Sequence, residues 1–321
     1  MFFNKLKTDF PQKLKVLLPL WLVICISTLA HNRLGDYVMV NDAKLWYETE
    51  GSGEPLVLVS GGPGFSHVYF KPHFSKLSDD FLLIYFDGIG RGRSDFADSP
   101  SAYSIDRDVD DLEGLRQALE IEKWHVYGHS YGGIVAQQYA LKHQEHLSSL
   151  VLANTMHSAE MWQQGRDNYY REIKNQYPEE WETINELAKQ GKKESSPEMR
   201  NISIPTLPLI YFYDISNFQK LQSDSLPWNS DVYFSIVGEE FFYLSPSLQD
   251  MDFRPALYKI RVPMLVIAGR YDRIAMPRFQ VQYKVYAPHA DFMMFEHSGH
   301  FPFLEETAKH RQVLEEFLKR D

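Results

Sequence analysis

Short apolar runs alternate with segments of helical spacing along most of this chain. Residues 55–60 and 81–86 are continuous apolar runs, which are typical of strands buried on both faces of a parallel sheet. Residues 106–119 place apolar residues along one side, which predicts a helix. The same patterns predict strands at 37–40, 44–48, 124–127, 150–153, 264–268 and 292–295, and helices at 134–143 and 304–318. This alternation predicts an α/β fold with a mostly parallel central sheet.

Residues 155–258 do not continue the alternation. The segment is rich in Trp, Tyr and Phe, with helical stretches around 159–190 and a polar stretch at 190–197 that predicts a loop. A long segment without strand signals, inserted between two sheet strands, predicts a helical cap over the edge of the sheet that binds ligands in open α/β folds. The predicted division is a core formed by 36–154 and 259–321, with the cap between its two parts.

The first 35 residues differ in character from the rest. Residues 16–30 form an apolar run that is short for a membrane span and follows four lysines. This arrangement predicts a secretory signal peptide within 1–35, cleaved near Ala30, and hence an exported protein, periplasmic or secreted. The alternative is an uncleaved membrane anchor through 16–30. Cys25 is the only cysteine, so cleavage would leave no thiolate or disulfide chemistry.

Composition narrows the class of protein further. The chain has 321 residues, of which 44% are hydrophobic and 24% charged, and this balance suits one or two globular domains with a sizeable core. The net charge of −10 and the absence of a basic stripe in the body of the chain argue against nucleic-acid binding. The partner expected is therefore a small substrate. Composition does not determine the oligomeric state.

The most informative motif is Gly128-His129-Ser130-Tyr131-Gly132. It follows a predicted strand and precedes a predicted helix, which is the context that a nucleophilic serine on a strained strand-to-helix turn requires. The alternative interpretation is a glycine-rich turn with an idle serine. The context favours Ser130 as a nucleophile.

A serine nucleophile needs a base and an acid that orients the base. Asp272 follows the strand predicted at 264–268, and His300 lies on a glycine-containing loop after the strand predicted at 292–295. His297 is the alternative base, but Gly299 favours the tight loop that would aim His300. Asn154 also follows a strand, but an amide cannot carry the acid's charge. The prediction is a Ser130–Asp272–His300 triad.

An oxyanion hole needs two preorganised backbone N–H groups. We assign these to Tyr131, which follows the nucleophile, and to Gly62 in the Gly-Gly-Pro-Gly loop after the strand at 55–60. The alternative for that loop is a plain tight turn. A second glycine-rich loop at 87–94 lacks the features of a phosphate-binding loop. We interpret it as a structural loop held by Asp87 with Arg91 or Arg93.

Taken together, these motifs resemble the proline iminopeptidase family of α/β-hydrolases, including the tricorn-interacting aminopeptidases. The resemblance covers roughly residues 36–321, and Gly-Gly-Pro-Gly is its most discriminating element. It rests on Ser60-Gly61-Gly62-Pro63-Gly64, Asp87 with Gly90-Arg91-Gly92-Arg93-Ser94, Gly128-His129-Ser130-Tyr131-Gly132-Gly133, Gly269-Arg270-Tyr271-Asp272 and Ser298-Gly299-His300.

The resemblance implies an α/β-hydrolase fold and a serine aminopeptidase that releases N-terminal proline, or a similar residue, from short peptides without a metal or cofactor. It also implies that Glu240, helped by Glu239, binds the substrate ammonium. Two departures stand out. Arg273 occupies the position where relatives carry a second acid after the triad aspartate, and Ser60 replaces a histidine common before Gly-Gly-Pro-Gly.

Two other functions remain open from the sequence. An esterase or other small-molecule acyl hydrolase would use the same triad without recognising an amine, and Arg273 would suit a carboxylate-bearing substrate. A ligand receptor that has kept a hydrolase fold is a different class, which the complete set of triad residues argues against. Fold alone does not decide among these functions.

Overall fold

The computed structural model describes residues 35–221 and 228–320. The predictions of a signal peptide or anchor within 1–35, and the statements about Cys25, therefore concern residues outside the described part of the chain. Within the described part, no helix combines the length and apolar character needed to cross a membrane.

Eight strands form one sheet in the order β1-β2-β4-β3-β5-β6-β7-β8. The two pairings β1–β2 and β2–β4 are antiparallel, and all the others are parallel. The mostly parallel sheet predicted from the apolar runs is therefore confirmed. The strands are β1 Asp36–Val40, β2 Ala43–Glu50, β3 Glu54–Val59, β4 Phe81–Phe86, β5 Trp124–His129, β6 Leu147–Ala153, β7 Met264–Gly269 and β8 Asp291–Phe295.

Helices cover both faces of this sheet, which explains why its strands are apolar on both sides. Val57 of β3 belongs to a cluster with Leu112, whereas its neighbour Leu56 belongs to a cluster with Phe317 on the opposite face. The helices are α1 Lys71–Phe74, α2 Ile105–Ala118, α3 Tyr131–His143, α4 Ala159–Gln176, α5 Pro178–Lys189, α6 Pro197–Thr206, α7 Pro208–Tyr211, α8 Phe218–Leu221, α9 Ser230–Val237, α10 Pro277–Gln280, α11 Tyr283–Tyr286, α12 Pro302–Glu305 and α13 Thr307–Leu318.

Helices α4 to α9 lie between β6 and β7 in the chain and form the inserted helical cap. The cap has a small hydrophobic cluster of its own, in which Tyr170 and Ile173 of α4 pack with Ile184 and Leu187 of α5. This cluster accounts for several of the aromatic and aliphatic residues in the segment, since a helical layer needs apolar contacts to stay folded.

The last helix is not continuous, contrary to the prediction for 304–318. Glu306 has φ −122° and ψ 50°, outside the helical region, and separates α12 from α13. Its carboxylate accepts hydrogen bonds from the His297 N–H at 3.0 Å and from Ser298 Oγ at 2.6 Å. Glu305 Oε2 accepts one from the Gly299 N–H at 2.6 Å. The break therefore places two carboxylates where they hold the loop that carries His300.

Candidate active site

Ser130 occupies the turn between β5 and α3. Its backbone has φ 54° and ψ −121°, a strained conformation for a residue with a side chain. The turn is held by hydrogen bonds from the Ser130 N–H to Ala153 O at 2.9 Å and from Thr155 Oγ1 to Ser130 O at 2.6 Å. Within the described residues, Ser130 Oγ makes no hydrogen bond, so the hydroxyl remains available for a substrate.

Gly132 is required by a close approach of two backbones. A Cβ atom built at this position would lie 2.1 Å from Val59 O, at the end of β3. Any side chain would therefore push α3 away from the sheet. Without it, the first turn of α3 can pack directly against the strand that leads into the Gly-Gly-Pro-Gly loop.

The structure brings Asp272 and His300 together. Asp272 follows β7 and His300 follows β8, and these are neighbouring parallel strands whose ends meet at the same edge of the sheet. His300 Nδ1 lies 2.8 Å from Asp272 Oδ2, and both side chains are buried. Because a carboxylate accepts, Nδ1 donates this hydrogen bond, which leaves Nε2 as the nitrogen that can take a proton.

Both oxygens of the Asp272 carboxylate accept hydrogen bonds. Oδ1 accepts from the backbone N–H groups of Ile274 at 2.9 Å and Ala275 at 2.8 Å. Oδ2 accepts from Asn154 Nδ2 at 2.9 Å, and the same amide donates to Gly299 O at 3.1 Å. Asn154, excluded as the acid from sequence, therefore lies against the acid and holds it. Its role depends on a contact between β6 and β7 loops that sequence spacing does not reveal.

His129 connects the serine turn to the histidine loop. Its Nε2 donates to His300 O at 2.8 Å, and its Nδ1 accepts from Tyr69 OH at 3.0 Å. Tyr69 OH in turn accepts from the Gly61 N–H at 2.7 Å. Burial, with a smaller effect of His300, lowers the pKa of His129 well below its usual range, so the ring is neutral. These hydrogen bonds join residues that are far apart in the sequence.

His297, the alternative base, has a different environment. It is exposed, and its ring lies 5.7 Å from that of Tyr213. His300, in contrast, is buried against Asp272. The geometry favours His300 over His297.

The Gly-Gly-Pro-Gly loop lies directly against Ser130. A Cβ atom at Gly61 would be 2.8 Å from Ser130 Cβ, and one at Gly62 would be 2.3 Å from the Phe65 ring. Gly62 has φ 53°, which also favours glycine. Within the described residues, the Gly62 N–H has no acceptor. The Tyr131 N–H is the first of α3 and has no acceptor within that helix. Two backbone donors are thus free beside the serine.

Asp87 and Arg91 hold the loop at 87–94 by hydrogen bonds, as predicted, whereas the Arg93 side chain makes a different contact. Asp87 accepts from the Arg93 N–H at 3.0 Å and from His67 Nδ1 at 2.8 Å. The Arg93 guanidinium instead stacks over the Trp46 ring at 4.6 Å. The Arg91 side chain makes the buried contacts, which are described below with Asp108.

His67 lies between the carboxylates of Glu48 and Asp87, three residues after the Gly-Gly-Pro-Gly loop. Burial alone lowers the pKa of His67, but hydrogen bonds and charge from Asp87 and Glu48 outweigh burial and raise it. A histidine whose pKa is raised on folding stabilises the protein below its unfolded pKa of about 6.5. That contribution is lost as the pH rises through the raised value.

We therefore expect His67→Gln to destabilise the protein by about 1.5–3 kcal/mol at pH 5.5, the range for hydrogen bonds to charged groups. The deficit should shrink as the pH rises above 6.5 and through the raised pKa of His67. Urea unfolding at a series of pH values measures it, with exposed His289→Gln as the control. A deficit that is constant or grows with pH would contradict this prediction.

Glu240 and Glu239 lie in a turn on the surface of the cap. The Glu240 side chain is 69% exposed and pairs with Lys193. Its backbone carbonyl accepts from Arg166 Nη2 at 2.9 Å, and Glu239 O accepts from the Glu194 N–H at 2.9 Å. The structure does not bring either carboxylate into contact with Ser130 or His300, so this part of the predicted site is not assembled with the rest.

A different cap acid, Glu194, has only 10% of its side chain exposed. Its Oε2 lies 2.5 Å from Arg166 Nη2, and burial raises its pKa despite that partner. Burial is the main cause of the raised pKa of Tyr169 in α4, and the charges of Glu194, Tyr211 and Tyr233 raise it further. The helix that carries Arg166 also reaches the loop after β7, because Asn168 Nδ2 donates to Arg273 O at 2.8 Å.

The Tyr211 ring centroid lies 5.2 Å from that of His300. Sequence reasoning missed Glu194 because it lies in the polar stretch 190–197, where a glutamate is ordinarily solvated.

A cleft of about 410 Å³ opens beside Asp272. Arg273 lines it and also donates to Leu209 O. The other lining residues are Asn168, Glu172, Arg270, Met276, Pro277 and Arg278. Across residues 35–221 and 228–320, no group of three or more His, Cys, Asp or Glu side chains is placed to hold a metal ion.

Residues 54–307 match the family model described as the alpha/beta hydrolase fold. Fold and site together define a hydrolase of the α/β class, and hence an enzyme. The chain belongs to the alpha/beta hydrolase family, since the match spans most of its length.

Several proteins of similar sequence are described as proline iminopeptidases. The proline iminopeptidase of Heyndrickxia coagulans is 29% identical over 272 residues, covering 85% of this chain and 93% of the relative. That of Saccharolobus solfataricus is 29% identical over 281 residues, covering 85% and 87%. Among solved structures, the proline iminopeptidase of Mycobacterium smegmatis superposes with a TM-score of 0.71 at 22% identity, covering 88% of this chain and 97% of the other. This structural likeness shows the shared fold.

Proposed function

We propose that this protein is a serine aminopeptidase that releases N-terminal proline, or a similar residue, from short peptides. The observation that carries the proposal is the 2.8 Å contact between His300 Nδ1 and Asp272 Oδ2. His129, which directly precedes Ser130 on its strained turn, donates to His300 O. The relatives described as proline iminopeptidases, which this chain matches over most of their length, support the choice of substrate.

Acylation would proceed through the groups described above. Ser130 Oγ attacks the carbonyl carbon of the first residue while His300 Nε2 takes the hydroxyl proton. The N–H groups of Gly62 and Tyr131 hold the negative oxygen of the tetrahedral intermediate. The C–N bond then breaks, and His300 gives the proton to the leaving amine. Asp272 keeps the imidazole oriented and stabilises its charged form.

Deacylation would repeat these steps with water as the nucleophile. His300 takes a proton from water, the hydroxide attacks the ester carbonyl, and the bond to Ser130 Oγ breaks. His300 returns the proton to Ser130, and the free amino acid leaves. No redox step or cofactor enters this sequence, because acyl transfer needs only the nucleophile, the base and the oxyanion donors.

An aminopeptidase must also recognise a free ammonium group. Glu194 is the better-placed candidate, because its side chain is only 10% exposed and pairs with Arg166 of α4. Asn168 of the same helix donates to Arg273 O, next to Asp272. Within the described residues, Glu194 Oε1 has no hydrogen-bond partner, which leaves an acceptor for the ammonium. Glu240 stays a prediction. Its carboxylate is exposed and already paired with Lys193, so solvent would weaken its attraction for a substrate ammonium.

Substitution separates the two candidates. We expect Glu194→Gln to raise KM for a proline-arylamide, or lower kcat/KM, by about 10- to 100-fold, as for loss of a buried charged contact. Hydrolysis of a neutral p-nitrophenyl ester should change by less than about threefold. Glu240→Gln is the matched control and should leave both activities near wild type. The opposite pattern would assign the ammonium to Glu240.

An esterase or other small-molecule acyl hydrolase is the second candidate. The specific observation in its favour is the cleft beside Asp272, which Arg273 and Arg278 line with positive charge. Such a cleft suits a substrate that carries a carboxylate rather than a free amine.

The decisive assay compares a proline-arylamide with a p-nitrophenyl ester of a small dicarboxylic acid on the same preparation. Faster cleavage of the arylamide supports the aminopeptidase. Cleavage of the ester alone, with activity reduced by Arg273→Gln, would replace it by the second candidate.

A further inference from the structure

One buried ion pair joins the two halves of the proposed oxyanion hole. Arg91 donates from Nη1 to Asp108 Oδ1 and from Nη2 to Asp108 Oδ2, each at 2.7 Å. Both residues are more than nine-tenths buried. A bidentate pair of this kind fixes direction as well as distance, because the guanidinium is a rigid fork.

The ion pair contacts the Gly62 side of the proposed oxyanion hole through Arg91. Its Nε donates to Pro63 O, within the Gly-Gly-Pro-Gly loop. Pro63 directly follows Gly62, whose N–H is one of the two proposed donors. The position of the Gly62 N–H therefore depends on where the Arg91 guanidinium holds the next carbonyl.

The ion pair contacts the Tyr131 side of the proposed oxyanion hole through Asp108. Tyr131 OH donates to Asp108 Oδ2 at 2.6 Å, and the Tyr131 ring lies 5.8 Å from the Arg91 guanidinium carbon. The backbone N–H of the same tyrosine is the other proposed donor. Burial, and secondarily the charge of Asp108, raise the pKa of Tyr131 well above its usual range, so the hydroxyl keeps its proton and remains a donor.

We infer that Arg91 and Asp108 are positioning residues that set the spacing between the Gly62 and Tyr131 N–H groups. The inference rests on the proposed function, because it requires these groups to hold the oxyanion. A buried ion pair contributes little net stability, because desolvation offsets attraction. Its consequence here is geometric: displacements of about 1 Å can cost about 100-fold in rate.

The test measures kcat and KM for Tyr131→Phe and Arg91→Lys. Tyr131→Phe keeps the backbone N–H and the aromatic ring but removes the hydrogen bond to Asp108. It should lower kcat by about tenfold. Arg91→Lys loses the bidentate contact with Asp108 and should lower kcat by about 10- to 100-fold. KM should stay within about threefold for both, because the oxyanion forms only in the transition state. Arg93→Lys, in the same loop but exposed, is the matched control.

Phosphonylation of Ser130 by a fluorophosphonate gives a readout that is independent of the substrate. The rate constant of phosphonylation should fall in parallel with kcat, since the phosphonyl oxygen accepts hydrogen bonds from the same two N–H groups. The double variant should lose less in rate than the product of the two single losses. Variants with a lowered Tm but unchanged kcat and phosphonylation rate would overturn the inference and assign the pair to stability alone.

Failure of the proposed function gives a different result. If the wild-type protein cleaves esters but not proline-arylamide, the aminopeptidase assignment fails, while the effect of Arg91→Lys is still measured on the ester. If Ser130 of the wild type is not phosphonylated, the serine mechanism and this inference are both overturned.

Discussion

Ser130→Ala is expected to lower kcat by about 10⁴- to 10⁶-fold, because it removes the only atom that forms the acyl-enzyme. The residual rate over water would come from the oxyanion donors and from binding. Ala at this position keeps φ near 54° and therefore keeps the backbone strain, which costs about 1–3 kcal/mol at such positions.

Ser130→Gly is the matched variant, since it removes the same hydroxyl and also the strain. Both variants should be inactive, but Gly should be more stable than Ala by about 1 kcal/mol in urea unfolding. At an unstrained position, Gly would be the less stable of the two. Activity retained in Ser130→Ala would contradict the mechanism, and a less stable Ser130→Gly would contradict the strain.

Asp272→Asn is expected to lower kcat by about 10⁴-fold, equivalent to about 5 kcal/mol of transition-state stabilisation. Oδ1 accepts two backbone N–H groups, so the new amide would turn its NH₂ towards His300 and Asn154. An NH₂ group facing His300 Nδ1 forces the ring proton onto Nε2. His300 then cannot accept the proton of Ser130.

The control for this variant is Asp250→Asn, which makes the same chemical change at an exposed position. Activity is measured per folded molecule, with folding checked by near-ultraviolet circular dichroism. The ring tautomer can be read directly from the nitrogen shifts of His300. A folded Asp272→Asn with wild-type kcat, or with the proton still on Nδ1, would contradict the role proposed for Asp272.

The fold could be predicted because its signals are local. Continuous apolar runs distinguish strands buried on both faces, and the loss of these runs after β6 marked the cap. The break between α12 and α13 could not be predicted, because Glu305 and Glu306 look like ordinary helix formers. Glu306 leaves helical geometry, and the two carboxylates accept hydrogen bonds from Gly299, Ser298 and His297, a requirement that exists only in the folded chain.

The site could be predicted in part, because parallel strands deliver their loops to one edge of the sheet. Asp272 and His300 meet there, although their catalytic roles remain predictions. Sequence reasoning did not find Asn154 as a support of Asp272, because its contact joins residues more than a hundred positions apart. The resemblance implied Glu240, whose side chain is 69% exposed, and no signal in the sequence indicated Glu194, whose side chain is 10% exposed. Burial of a single charge depends on packing that no periodicity encodes.

The central claim is that Ser130 is the nucleophile of an α/β hydrolase. The most direct test is labelling of the full chain with a fluorophosphonate, followed by peptide mapping of the adduct by mass spectrometry. The account predicts one adduct per molecule, on the peptide that contains Ser130, and no adduct in Ser130→Ala or His300→Gln. An unlabelled wild type, or equal labelling of Ser130→Ala, would contradict it.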